Sequence, residues 1–192
     1  MRNQQTWDKM IRGQLIQVLF PPRIQKILME FPSPKFEETL QSSFIYGNTQ
    51  HGKTILSAQM MLEERRRMYL HPENYYGKIS TTIFISSFEM FSNIKSSFDH
   101  VNSDVTERAI IEKYSQAHML VIDDLGTVNP TTYVLQVLYG IINNRYENEK
   151  LTVITSNYEI NELGKQFGDV RIVSRISQMC VLINKEPYNS TK

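Results

Sequence analysis

The chain has 192 residues, and its 21 Lys plus Arg nearly balance its 20 Asp plus Glu, so the formal net charge is +1. Hydrophobic residues make up 41% and charged residues 21%, a composition that excludes a wholly disordered, collagen-like or coiled-coil chain. The length is typical of one domain with its own core. Because the net charge is close to zero, any nucleic acid would have to be held by a local basic patch.

The cysteine and histidine content limits which compartment and which metal sites are expected. Cys180 is the single cysteine, so an internal disulfide is excluded and a reducing compartment is expected. The four histidines stand at no metal-ligand spacing, which argues against a structural zinc site. No apolar run approaches the roughly 18 residues of a membrane helix, and the polar first residues are not typical of a signal peptide. We therefore expect a cytoplasmic protein that does not enter a membrane.

The first 40 residues are predicted to form short helical pieces, because prolines interrupt them at Pro21, Pro22, Pro32 and Pro34. Six apolar residues of this region recur at helical spacing: Trp7, Met10, Ile11, Leu15, Val18 and Leu19. The stripe predicts either a helix packed on the main domain or an arm that binds a partner. We place a helical N-terminal extension at residues 1–40 and the core domain at 41–192.

From residue 42 onward, predicted strands and helices alternate. The β-branched and apolar runs that indicate strands are 44–46, 81–85, 119–122, 151–155 and 180–183. The helix signals between them are a helical pattern over 53–69, capping boxes at Ser86/Glu89 and Asp104/Glu107, an Asn129 cap with Pro130 at the first helical position, and helices near Leu163 and after Asp169. Such alternation implies an α/β fold, with a parallel sheet between two layers of helices.

The strongest motif lies between the first strand and the first core helix. It is the G-x-x-x-x-G-K-[ST] phosphate-binding pattern, formed by Gly47, Asn48, Thr49, Gln50, His51, Gly52, Lys53 and Thr54. Glycines let backbone N–H groups converge on phosphate oxygens, and the helix N-terminus adds its positive dipole end. Lys53 would reach the β- and γ-phosphates, and the Thr54 hydroxyl would ligate Mg²⁺. A structural glycine turn is the alternative.

Two acids, Asp123 and Asp124, end the predicted strand at 119–122. Carboxylates beside an apolar core are costly unless they have a partner, and Mg²⁺ would supply one. Asp123 would then hold the metal, and Asp124 would orient or deprotonate an attacking water. A solvated strand end before a turn at Gly126 is the alternative interpretation.

Polar residues near the end of the chain give two weaker signals. Asn157 follows the strand at 151–155, where it is either a turn former or a hydrogen-bond donor to the γ-phosphate or the water. Arg171 and Arg175 are four residues apart and so share one helix face. They are either two surface arginines or include an arginine finger, a cation donated to the nucleotide of a neighbouring subunit.

The order of these motifs resembles that of the AAA+ ATPases of the DnaC/DnaI helicase-loader and IstB group. The matching stretches are the phosphate loop, Ile-Asp-Asp-Leu-Gly at 122–126, Thr-Ser-Asn-Tyr at 155–158 and Arg-Ile-Val-Ser-Arg-Ile at 171–176. Pro21-Pro22-Arg23, the stretch 86–91 and the stretch 141–146 also resemble elements of that group. The similarity extends over about residues 20–185, and the ordered set is more specific than any motif but the phosphate loop.

The resemblance implies a three-layer AAA+ core with strand order 5-1-4-3-2 and ATP and Mg²⁺ as cofactors. It implies that Asp123 and Asp124 are the Walker B pair, that Asn157 is sensor I and that Arg175 is the arginine finger. Arg171 would lie near the subunit interface or DNA, and Lys95 would face DNA. The implied partners are a replicative helicase, single-stranded DNA and further copies of the chain, with ATP at the subunit interfaces.

Two features depart from the resemblance, and a third agrees with it. Gln50 stands where the group usually has glycine, which could alter the empty loop or slow turnover, even to a switch that binds ATP and hardly hydrolyses it. The bacterial loaders carry a larger N-terminal helicase-binding domain than residues 1–40. After Arg175 there is room for one more strand but for no helical lid, which the DnaC-like group similarly lacks.

Two other functions remain open at the level of sequence. One is an IstB-like transposition helper that acts on duplex DNA. The other is a P-loop metabolite kinase, although the arginine-rich lid insertion usual in such kinases is not evident. Stimulation of ATPase activity by DNA, or by a small acceptor, would separate the two classes.

Overall fold

Five parallel strands form one sheet in a computed structural model of the chain, which describes residues 3–31, 34–36, 39–50, 52–75, 81–99 and 107–185. The strands are β1 (Ser43–Tyr46), β2 (Thr82–Ser86), β3 (Met119–Leu125), β4 (Leu151–Ser156) and β5 (Val181–Asn184). Their order is β2-β3-β4-β1-β5, with every neighbouring pair parallel. This order confirms the predicted α/β architecture.

Helices precede the sheet and connect its strands. The N-terminal helices are α1 (Gln4–Thr6), a π-helical segment (Trp7–Ile11), α2 (Arg12–Leu19) and α3 (Pro22–Glu30). The helices of the core are α4 (Lys53–Leu70), α5 (Ser87–Asp99), α6 (Glu107–Gln116), α7 (Thr132–Glu147), α8 (Ile160–Phe167) and α9 (Val170–Met179), with a 3₁₀ turn at Pro72–Tyr75. None of the described helices is long and apolar enough to cross a membrane.

Side chains alternate between the two faces of the sheet, and both faces are covered. In β3, Met119 and Val121 pack towards α2, α3 and α4, whereas Leu120 and Ile122 pack towards helices α5–α9. All four are fully buried. A strand buried on both faces has a continuous apolar sequence, which is why the run at 119–122 was recognisable as a central strand.

The prediction of an apolar helical stripe in the N-terminal region is only partly correct. Trp7 is 2% exposed, but Met10 and Val18 are 61% and 81% exposed, and the buried residue of α2 is Ile16. The physical reason is the π-helical segment Trp7–Ile11, whose wider turn adds a residue and shifts the phase of the apolar face.

Two helix-start predictions have different outcomes, and a third lies outside the described residues. Ser86 Oγ accepts a hydrogen bond from the Glu89 N–H at 3.2 Å, as the first capping box requires. The Asn129 cap is wrong, because α7 begins at Thr132 and the Thr131 side chain accepts from Val134 N–H. Threonine is a good N-cap and extended backbone at Thr131 precedes the helix, so the Asn-Pro pair stays in the connecting loop. Asp104 lies outside the described residues.

A fully buried arginine joins α6 to the start of β4. Arg145 donates to the carbonyl oxygens of Tyr114 and Ala117, each at 2.8 Å, to Leu151 O at 2.6 Å and to Thr152 Oγ1 at 2.9 Å. Burial lowers the pKa of Arg145 to about 9. The guanidinium thus satisfies carbonyls at the C-terminal end of α6 that lack helical partners.

We expect Arg145→Met to reduce the free energy of unfolding by about 3 kcal/mol or more, because several buried acceptors lose their donor at once. Urea denaturation measures the change. Arg108→Met, on the exposed side of α6, is the matched control and should stay within about 0.5 kcal/mol of wild type. Equal stability of the two variants would contradict the structural role of Arg145.

Candidate functional site

Three strand ends meet at one edge of the sheet. The phosphate-loop motif follows β1, the two acids end β3, and Asn157 follows β4. β4 lies between β1 and β3, and the three strands run in the same direction. Their carboxyl ends therefore bring together side chains that are distant in sequence, such as Lys53 and Asn157, which are 104 residues apart. Such edges of α/β sheets are common ligand sites.

The loop between β1 and α4 depends on left-handed backbone conformations. Gly52 has a φ of 75°, and Gln50, the residue that departs from the family pattern, has a φ of 68°. A residue with a Cβ pays roughly 1–2 kcal/mol for this conformation, so Gln50 strains the loop where glycine would not. Gly47 is required by space as well, because a Cβ there would lie 2.6 Å from Lys185 O. His51 lies outside the described residues.

Lys53 ties the loop to β4. It is 6% exposed, and its Nζ donates to Gly47 O at 2.8 Å, to Asn48 O at 2.7 Å and to Asn157 Oδ1 at 2.9 Å. Burial lowers the pKa of Lys53, and the nearby charges of Asp124 and Asp123 oppose that shift. The ammonium group is thus held at the point where the loop and the strand ends converge.

Asp123 connects β3 to the first turn of α4 and to β4. Its Oδ1 accepts from Thr54 Oγ1 at 2.9 Å and from Thr155 Oγ1 at 2.7 Å. Burial raises the pKa of this carboxyl, and the charge of Asp124 acts in the same direction, while the two hydroxyl donors and Lys53 lower it. The two hydroxyls give the partly buried carboxylate the partners that it needs.

A bulge at the end of β3 turns Asp124 away from the regular strand. The pairing of β3 with β4 shifts between Ile122 and Leu125, and Asp124 has a φ of 61°. Its backbone N–H donates to Thr155 Oγ1 at 2.8 Å, and its carbonyl accepts from Ser87 Oγ at 2.8 Å. Bulges redirect a side chain at the end of a strand. The hydrogen bonds from Thr155 of β4 and Ser87 of α5 hold the Asp124 backbone in this bulged conformation.

Asn157 bridges the cation and the second acid. Its side-chain carbonyl accepts from Lys53, as described above, and its Nδ2 donates to Asp124 Oδ1 at 3.1 Å. A neutral amide serves both partners because it has an acceptor and a donor. Lys53, Asp123, Asp124 and Asn157 therefore form one connected cluster.

The cluster fits a magnesium–nucleotide complex. Thr54 and Asp123 supply one hydroxyl and one carboxylate, and Mg²⁺ is usually bound by one or two such groups together with substrate phosphates. Among the described residues, no group of three or more His, Cys, Asp or Glu is placed to form an all-protein metal cage. Lys53 and the N-terminus of α4 supply positive charge for phosphates.

The remaining predicted residues do not join this cluster in the same chain. Among the described residues, Arg175 contacts Asn143 and Tyr146 of α7 and Gln178 of its own helix. Arg171 contacts Tyr139 of α7 and the N-cap residue Asp169. Lys95 lies on the exposed side of α5.

Two residues that hydrogen-bond to the cluster were given no role at the site by the sequence interpretation. The Thr155 hydroxyl serves both acids at once, and Ser87 anchors the Asp124 carbonyl. Thr155 and Ser87 are each 1% exposed. A hydroxyl residue at the end of a predicted buried strand is the sequence signal that points to them. Their hydrogen-bond partners, however, depend on the packing of neighbouring elements.

Comparison with known proteins identifies the family and the fold. The family model described as IstB-like ATP binding protein matches residues 21–183. The replicative helicase loader DnaC of Escherichia coli strain K12 is 24% identical over 159 residues, which are 81% of this chain and 59% of that protein. The chain therefore spans about three fifths of the length of this curated relative.

Solved structures share the architecture. A crystal structure of the DnaC helicase loader superposes with a TM-score of 0.60 at 19% identity, covering 96% of this chain and 100% of that one. AMPPCP-bound DnaA from Aquifex aeolicus gives a TM-score of 0.61 at 19% identity, covering 96% of this chain and 47% of that one. These likenesses show that the chain has the α/β AAA+ fold.

We expect Thr155→Val to weaken the contribution of Mg²⁺ to nucleotide affinity by about 10-fold or more, because groups that orient a metal ligand typically matter to that extent. Valine keeps the shape but leaves Asp123 with one donor fewer and the Asp124 N–H without its acceptor. Titration of a fluorescent ATP analogue with Mg²⁺ and with EDTA measures the effect. Thr155→Ser is the control and should behave like wild type; a valine variant with the wild-type Mg²⁺ dependence would contradict the bridging role.

Proposed function

The chain belongs to the IstB-like ATP-binding protein family, and on that premise we propose that it is an ATPase that uses ATP and Mg²⁺ at the strand-end cluster. The observation that carries the proposal is the convergence of Lys53 and Thr54, at the start of α4, with Asp123 of β3 and Asn157 after β4. A cation for phosphates and a hydroxyl–carboxylate pair for Mg²⁺ are the two requirements of a nucleotide site of this type.

Each residue of the phosphate-loop motif and of the cluster has a proposed role. Gly47, Asn48, Thr49, Gln50, His51 and Gly52 surround the phosphates, and Lys53 offsets their charge. Thr54 and Asp123 hold Mg²⁺, which when bound stabilises negative charge on the phosphoryl oxygens. Asp124 orients or deprotonates the attacking water, and Asn157 donates to the γ-phosphate or to that water. The position of the Asp124 side chain on a bulge, bonded to Asn157, supports the separate roles of the two acids.

The proposed biological role is that of a DnaC-like helicase loader that acts on single-stranded DNA and a replicative helicase. It rests on the likeness to DnaC and on one surface feature of α5. At the start of this helix the side chain of Phe88 is 67% exposed, and Lys95 lies on the exposed side two turns later. An exposed aromatic with a nearby cation suits single-stranded DNA, because bases stack on the ring while the cation meets the backbone.

A second candidate role is a transposition helper that acts on duplex DNA, and the match to the IstB-like family model favours it. ATPase assays with single-stranded and duplex DNA of the same sequence separate the two roles. Greater stimulation by single strands, together with ATP-dependent co-purification of a replicative helicase, is the expected result. Preference for duplex DNA and co-purification of a transposase would replace the helicase-loader proposal.

We also propose that residues 41–192 are the ATPase core and residues 1–40 an extension of it. The protein would act as a homo-oligomer with ATP at the subunit interfaces, and outside a membrane. Arg175 would be the arginine finger, and Arg171 a second basic residue near the interface or DNA. The absence of any contact from Arg175 to the cluster, among the described residues, is consistent with a role in a neighbouring subunit.

We expect Asp124→Asn to retain Mg²⁺-dependent ATP binding but to lower ATP hydrolysis by about 100-fold or more, because the amide lacks the basic oxygen. Asparagine also tolerates the left-handed backbone at this position, so the bulge should persist. Asp123→Asn should instead weaken Mg²⁺-dependent binding. Titration with an ATP analogue and phosphate-release assays measure the two properties; identical defects in both variants would contradict the division of roles.

We expect Arg175→Ala to keep the fold and the ATP affinity but to lower hydrolysis by about 10³-fold or more, as trans-acting arginines do elsewhere. Lys53→Ala has the opposite defect, with an intact arginine and a defective pocket. Phosphate release from a mixture of the two variants measures the effect, and activity should recover at interfaces that pair a good pocket with a good arginine. A co-assembled mixture that stays inactive would argue against action in trans.

A further inference from the structure

The face of α7 that meets α9 carries a stripe of aromatic and amide side chains. Tyr139, Asn143 and Tyr146 stand at positions i, i+4 and i+7 of α7 and so lie on one side of it. The guanidinium of Arg171 lies 4.6 Å from the centre of the Tyr139 ring, and that of Arg175 lies 4.7 Å from the centre of the Tyr146 ring. Each arginine of α9 therefore stacks on a tyrosine of α7.

The two stacked arginines differ in how their charge is compensated. Arg171 forms an ion pair with Asp169, with Nη2 to Oδ2 at 2.8 Å, and its side chain is 58% exposed. Arg175 forms no ion pair within the described part of the chain; its Nε donates to Asn143 Oδ1 at 2.8 Å and its Nη1 to Gln178 Oε1 at 3.2 Å. The charge of Arg175 is thus held in place by neutral groups.

A cation that must bind an anion of another molecule is better held by neutral groups than by an ion pair, because its charge then stays uncompensated. An arginine side chain has many rotamers, and ordering it during the reaction would raise the barrier. The Tyr146 ring restrains the guanidinium that lies over it, and the hydrogen bond from Nε to Asn143 fixes a second point of the same group. Neither contact neutralises the charge, so its attraction for phosphate is kept.

We propose that Tyr146 and Asn143 are positioning residues that hold the Arg175 guanidinium ready for the nucleotide phosphates of a neighbouring copy of the chain. The inference rests on the proposed function, because it takes Arg175 to act in trans. It goes beyond that function by assigning the restraint of the cation to two residues of α7. Tyr146 and Asn143 act through Arg175 and contact no nucleotide themselves.

Tyr146→Leu tests the inference because it removes the ring but keeps an apolar side chain. We expect it to lower ATP hydrolysis about 10- to 100-fold with ATP affinity unchanged, since a small displacement of a catalytic group has effects of this size. Tyr146→Phe keeps the ring face and should retain nearly full activity. Tyr139→Leu is the matched control: it removes the equivalent ring beneath the ion-paired Arg171, and hydrolysis without DNA should stay near wild type.

Mixing separates positioning from a general structural defect. Tyr146→Leu keeps its own pocket, so it should regain activity when mixed with Lys53→Ala, which supplies a well-held arginine. Failure to recover, in conditions where Arg175→Ala does recover with Lys53→Ala, would show a defect in the variant's own pocket and overturn the inference.

Two further outcomes show whether the inference fails alone or together with the proposed function on which it rests. Full activity of Tyr146→Leu alongside an inactive Arg175→Ala would overturn the inference and leave the proposed ATPase function intact. Full activity of Arg175→Ala in the assembled protein would overturn both the trans role of Arg175 and the positioning role of Tyr146.

Discussion

The burial of one ammonium group, that of Lys53, is the constraint on which the candidate site depends. A buried cation needs oxygen partners, and Lys53 finds them in two loop carbonyls and the side chain of Asn157. These bonds join the loop after β1 to the end of β4. Burial lowers the pKa of Lys53, and the charges of the two acids of β3 offset part of that lowering. Satisfying this single charge therefore fixes the loop against the end of β4.

The second constraint is that two adjacent acids of one strand both reach the same site but bond to different partners there. In a regular strand, Asp123 and Asp124 would point to opposite faces of the sheet. The bulge and the left-handed φ of Asp124 remove that alternation, so Asp123 bonds Thr54 while Asp124 bonds Asn157. Thr155 holds both acids in place, because its hydroxyl donates to the Asp123 carboxylate and accepts from the backbone N–H of Asp124. A neighbouring strand thereby assigns the two carboxylates to different partners.

Sequence patterns predicted the strands, the loop and the acids because these depend on local chemistry: buried parallel strands are continuously apolar, and a phosphate loop needs glycines at set positions. They did not predict the bulge at Asp124, the bridging hydroxyl of Thr155 or the stacking of Arg175 on Tyr146, which depend on contacts between elements distant in sequence. The error in the N-terminal stripe has a local cause, since a π-helical segment breaks the 3.6-residue period that the pattern assumed. The Asn129 cap was displaced by Thr131, which is also a favoured N-cap residue and lies two positions later.

Equilibrium titration of wild type and Lys53→Ala with a fluorescent ATP analogue and Mg²⁺ tests the central claim most directly. Lys165→Ala, an exposed lysine of α8, serves as the control because it removes the same charge away from the sheet edge. The account predicts saturable binding by wild type and by Lys165→Ala, and loss of binding by a Lys53→Ala protein whose circular dichroism shows that it is folded. Undiminished affinity of folded Lys53→Ala would contradict it, because the ammonium on which the edge is built would then have no part in holding the nucleotide.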